Sequence, residues 1–118
     1  MAFTRNVRKV AQSLTGASGV AKGWANVDTS ATVGDSFNIS SAADTSALAK
    51  TFTLTNNFSN AYYATASQSA SATGLYTNTP VHGTALTTST YATYSFNVNT
   101  GGGTETDKNA SMAIGDLA

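Results

Sequence analysis

The sequence predicts a mainly β fold: a single-domain β-sandwich or small barrel of about six or seven short strands, with one N-terminal amphipathic helix or arm. Three observations predict it. Segments in which apolar and polar residues alternate recur between turn-forming residues. Thr and aromatic residues outweigh Leu and Lys, which favours strands over helices. Helical periodicity is confined to the first 15 residues. At 118 residues the chain has the length of one domain, with a modest core.

The first element is the helical one. Over residues 3–15, Phe3, Val7, Val10, Ala11 and Leu14 recur at the spacing of one helix face, while Arg5, Arg8, Lys9 and Gln12 lie off it. Gly16 suits the position just past a helix end. Residues 16–23 contain Gly16, Gly19 and Gly23 and read as a linker. The expected division is therefore a basic N-terminal arm and linker over 1–23 and a β-domain over 24–118. Trp24 is expected to anchor the core or a seam.

Strands follow. Thr32–Ser40 is expected to point Val33, Phe37 and Ile39 inward, and Lys50–Thr55 to point Phe52 and Leu54 inward. Ala42–Ser46 between them reads as a turn or short helical connection, and the amides of Asn56–Asn60 read as a turn. Ala61–Ala72 alternates, with Tyr62, Ala64, Ala66, Gln68 and Ala70 on one face and Tyr63, Thr65, Ser67, Ser69 and Ser71 on the other. Gly74–Gly83, with the only proline and the only histidine, reads as a loop; Thr84–Thr90 is a weak strand. Tyr91–Thr100 alternates most clearly and is expected to turn Ala92, Tyr94, Phe96 and Val98 inward before the glycines at 101–103 stop it. Thr104–Asn109 is a polar loop, and Ser111–Ile114 a last short strand with Met112 and Ile114 inward. The expected core is Phe37, Ile39, Phe52, Leu54, Tyr94, Phe96 and Val98.

Composition bounds the chemistry. There is no cysteine, hence no disulfide framework or thiolate chemistry. His82 is the only histidine, too few for a zinc site, and no Gly-x-Ser-x-Gly elbow occurs. Gly101-Gly102-Gly103 lacks the Lys and Ser/Thr of a phosphate loop, and the Asp28-Thr29-Ser30 and Asp44-Thr45-Ser46 tripeptides lack the spacing of a calcium loop. The expectation is a protein that is not an enzyme and carries no metal or cofactor.

Charge is sparse and segregated. Charged residues make up 10% of the chain, well below the usual ~25%. Arg5, Arg8, Lys9 and Lys22 give the first 22 residues four positive charges and no negative one; the rest carries Lys50 and Lys108 against six acidic residues. A charge-poor surface lacks the usual barrier to association. The basic segment suits contact with a polyanion or with a neighbouring subunit. Candidate contact residues are thus Arg5, Arg8, Lys9 and Lys22 for nucleic acid or subunits, and Phe3, Val7, Val10 and Leu14 for subunit docking.

The N-terminus has no uninterrupted apolar run of the kind that opens a secretory signal, and no stretch approaches the ~20 apolar residues of a membrane span. These features imply a self-assembling structural protein, expected as a virion component such as a small phage coat, capsid or capsid-decorating protein. Its partners would be copies of itself, packaged nucleic acid or another shell protein, and it would be made in host cytoplasm and located in the virion. The alternative is an extracellular filament, pilus or surface-layer subunit or adhesin domain at the cell surface. A carbohydrate-binding module, with Tyr62, Tyr63, Tyr76 and Tyr91 as platform, ranks third.

Overall fold

In a computed structural model of the chain, residues 20–46, 49–70, 86–103 and 106–118 are described in full and residues 76–80 as backbone. The helix expected over residues 3–15 lies outside the described residues, as does His82.

The described residues form eight strands: β1 (Ala21–Asp28), β2 (Val33–Phe37), β3 (Ile39–Ser46), β4 (Ala49–Leu54), β5 (Ala64–Ala70), β6 (Tyr76–Pro80), β7 (Thr90–Asn97) and β8 (Lys108–Ile114). They form two antiparallel four-stranded sheets, the first in the order β2-β1-β8-β5 and the second in the order β3-β4-β7-β6. Ala25, Val27 and Ala113 of the first sheet share one buried cluster with Phe52, Leu54 and Tyr91 of the second. The Phe52 and Tyr91 rings stack with centroids 5.0 Å apart. Gly23 leaves room for the second sheet's Leu54: a Cβ there would stand 3.0 Å from a methyl of that side chain.

The segment Thr32–Ser40, expected as one strand, is two strands that meet at a corner. Asn38 sits between them with φ of 56°, a conformation that Asn tolerates better than most residues. Its side chain ties the two sheets together. The amide nitrogen donates to the carbonyls of Lys22 (2.8 Å) and Asn56 (3.1 Å), and its oxygen accepts from the Asn56 amide (2.7 Å). The chain therefore leaves the first sheet at Phe37 and enters the second at Ile39. Phe37 is 53% exposed on the outer side, whereas Ile39 packs against the core. Simple alternation across Asn38 had put both inward.

The central pattern of β7 runs opposite to expectation. Tyr91, Thr93 and Ser95 point inward and are buried. The Tyr91 hydroxyl meets Ser111 Oγ of β8 at 2.9 Å, and Asn109 Nδ2 of β8 donates to Ser95 Oγ at 3.4 Å. Tyr94 and Phe96 lie on the outer face, half-buried, their rings 4.6 Å apart. The strand ends at Asn97, so Val98 falls in a turn and is 58% exposed. A strand with aromatics on both faces gives period two but not its phase, and a phase error exchanges every side chain.

Three connections expected as loops hold strands. Ala42–Ser46 is part of β3, Tyr76–Pro80 of the expected loop is β6, and Lys108 and Asn109 begin β8. β6 lies at a sheet edge, where a proline is tolerated. Phe52, Leu54 and the alternation of β5 fall as expected.

Candidate interaction surface

β5 and β8 are neighbours in the first sheet, and both turn their polar side chains inward. On β8, Asn109 (0% exposed), Ser111 and Ala113 face the second sheet, while Ala110 and Met112 face out. On β5, Thr65, Ser67 and Ser69 are the covered side, and Ala64, Ala66, Gln68 and Ala70 the exposed one. The usual antiparallel sheet does the reverse, with apolar residues on its core face. The inward groups are imperfectly paired: Ser67 Oγ, Ser69 Oγ, Thr93 Oγ1 and Asn109 Oδ1 have no hydrogen-bond partner among the described residues. Each such buried atom costs stability.

The outward consequence is an apolar row across the whole sheet. In register, Phe37 of β2 lies beside Trp24 of β1, Trp24 beside Met112 of β8, and Met112 beside Ala66 of β5. Phe37 is 53% exposed, Met112 41% and Trp24 36%. Trp24, expected in the core or a seam, thus stands on the outside, and Met112, expected inward, does too. A trough of about 360 Å³ runs beside them, lined by Trp24, Asn26, Ala66, Gln68, Ala110 and Met112. Tyr62, 96% exposed, precedes β5.

Polar groups flank the row. Asp35 and Asn26 stand one step along β2 and β1, and Asp28 and Lys108 are register partners further on. Asp28 Oδ1 accepts from the amides of Thr32 (2.8 Å) and Ser30 (3.0 Å), closing the β1–β2 turn. The Thr32 amide foremost, then the Thr32 hydroxyl, the Ser30 amide and the Lys50 cation, hold the Asp28 carboxyl below its ordinary value despite some desolvation. Lys50 itself is buried, donates to the Thr29 carbonyl and lies 3.9 Å from Asp44, so it braces this end of the molecule.

Of the contact residues expected from sequence, Arg5, Arg8, Lys9, Phe3, Val7, Val10 and Leu14 lie outside the described residues. Lys22 is the exception. It sits at an irregularity in β1 and is 3% exposed, so it offers almost no surface to a partner. β1 also begins at Ala21, which puts residues 21–23 in the sheet and not in a linker. The four tyrosines do not make one platform: Tyr63 and Tyr91 are buried. Among the described residues no three His, Cys, Asp or Glu side chains gather as metal ligands, and no helix is long and apolar enough to cross a membrane. The apolar row was not foreseen. Its signal was the alanine face of Ala61–Ala72, legible in sequence, but which side faced out was not.

No family model, curated protein or solved structure matches this chain.

Proposed function

We propose that the chain, read as a β-sandwich, is the subunit of a self-assembling structural protein, and within that class a virion coat, capsid or capsid-decorating protein. The observation that carries the reading is the reversed polarity of β5 and β8. A free monomer gains nothing by turning Ser and Asn inward and Met, Trp and Phe outward; a subunit whose outer face is covered does. Low charge supports the same reading, because like-charge repulsion would otherwise oppose close packing of many copies. Arg5, Arg8 and Lys9 then face packaged nucleic acid or acidic residues of a neighbour, with Phe3, Val7, Val10 and Leu14 against that neighbour. The role is structural and non-enzymatic.

The same face would serve a filament or surface-layer subunit, since a repeated contact that does not close gives an open fibre. Negative-stain electron microscopy of the purified full chain, beside light scattering, tests the reading. Regular shells or decorated particles are the expected result. Filaments would favour the extracellular alternative. A clean monomer at high concentration, with no second protein required, would overturn both.

A further inference from the structure

The outer face of the first sheet is graded in size. Its β2–β1 side carries the bulky Phe37 and Trp24, and its β5 side carries Ala64, Ala66 and Ala70 beside the trough. We propose that this face packs on the same face of a second copy, about a twofold axis parallel to the strands and midway between β1 and β8. The proposal rests on the assembly reading above and names its contact. Rotation about that axis lays β2 over β5 of the second copy and β1 over its β8. Phe37 then stands over the other copy's Ala66, and Trp24 over its Met112. Phe37 meets a small side chain and Trp24 the flexible Met112, and every contact is made twice, as an isologous interface requires. A twofold axis across the strands would instead set Phe37 on Phe37 and trough on trough.

Charge selects the same axis. Asp28 and Lys108 are register partners on β1 and β8, and both are exposed. Exchanging β1 for β8 brings each Asp28 carboxylate opposite the Lys108 ammonium of the other copy. It also lays Asp35 over Gln68, whose amide can donate to it. The crosswise axis forms neither pair. Alanines along β5 and at Ala110 let the two backbones approach to the ~10 Å typical of packed sheets.

The chain has no native cysteine, so introduced thiols report alone. Full-length Asp35→Cys protein is mixed with full-length Gln68→Cys protein and treated with a short bismaleimide that spans one sheet-to-sheet gap. In the proposed dimer the mixed pair is about 10 Å apart, and either like pair about 17 Å, from three strand spacings and one sheet gap. The expected result is about tenfold more mixed than like cross-link, set by proximity. Equal or greater like cross-linking would overturn the axis. No cross-link in a sample that light scattering shows to be oligomeric would overturn the contact and leave the assembly reading standing. A monomer throughout would remove both. A Val7→Cys, Asp35→Cys chain that cross-links within itself would show the N-terminal segment lying over this face, and would overturn the proposal as well.

Discussion

β4 and β8 are both interior strands of antiparallel sheets, six and seven residues long, and they are turned opposite ways. β4 buries Phe52 and Leu54 and half-exposes Thr51 and Thr53. β8 buries Asn109 and Ser111 and exposes Ala110 and Met112. The first arrangement stabilises the chain that contains it. The second leaves interior polar atoms with no partner among the described residues and apolar area in water, and both terms oppose folding of an isolated chain. The difference teaches that β4 and β8 bury opposite kinds of side chain: β4 answers to the core of its own chain, and on the reading proposed above the outer face of β8 answers to a neighbouring copy.

The largest effect should come from the conventional strand. Phe52 is fully buried and stacks on Tyr91. Phe52→Ala removes a ring that its neighbours cannot replace, and should cost about 3–5 kcal/mol in chemical denaturation. A loss near zero would mean that β4 is no more a core strand than β8, and the contrast would collapse.

Alkali tests whether the polar interior beside β8 is dry. The Tyr63 hydroxyl is pushed up to about 12, by desolvation first and then by the neighbouring Tyr91. It donates to the carbonyls of Thr87 and Thr90. Tyr91 is also raised by burial, with the Ser111 hydroxyl partly offsetting it. The unfolded chain ionises its tyrosines near the ordinary value of 10. The stability tied to Tyr63 is therefore whole below pH 10 and is lost as pH climbs toward 12, by about 2–3 kcal/mol. Phenolate absorbance should show these two tyrosines titrating only as the chain unfolds. Ionisation near the ordinary value with far-ultraviolet dichroism intact would mean water reaches the inner face of β8.

What the sequence made legible follows the same division. Phe52 and Leu54 were found because β4 obeys the rule that apolar residues face the core of their own chain. The strict alternation of β5 was found for its period alone. Its phase, like that of Met112 on β8 and of Tyr94 and Phe96 on β7, was not, because period two says which residues share a side and not which side is inside. Phe37 was missed for another reason: the corner at Asn38 is a single residue, and no glycine or proline announces it. Lys22 reads from sequence as a contact charge for nucleic acid or a subunit, because the irregularity in β1 that buries it leaves no mark in composition. The apolar row itself joins four strands of which only β1 and β2 are neighbours in sequence, and their registers bring Phe37, Trp24, Met112 and Ala66 side by side.

The smallest effect on the isolated chain is the one that separates the two strands most cleanly. Met112 is 41% exposed on β8, so in a dilute monomer Met112→Ser gives up little buried area and should shift stability by no more than about 0.5 kcal/mol. At high concentration the outcome should differ. Association that buries the outer face stabilises the folded state by mass action, so the melting temperature of the unaltered chain should rise with protein concentration. Met112→Ser weakens that contact and should flatten the rise while leaving the dilute melting temperature in place. Differential scanning calorimetry over a range of concentrations measures both. Should Met112→Ser lower the dilute melting temperature as Phe52→Ala does, the outer face of β8 is already covered within the single chain. β8 would then be an ordinary core strand seen from its other side. A melting temperature of the unaltered chain that is independent of concentration would mean that nothing covers the row in solution, and the reversed polarity of β5 and β8 would have no partner to account for it.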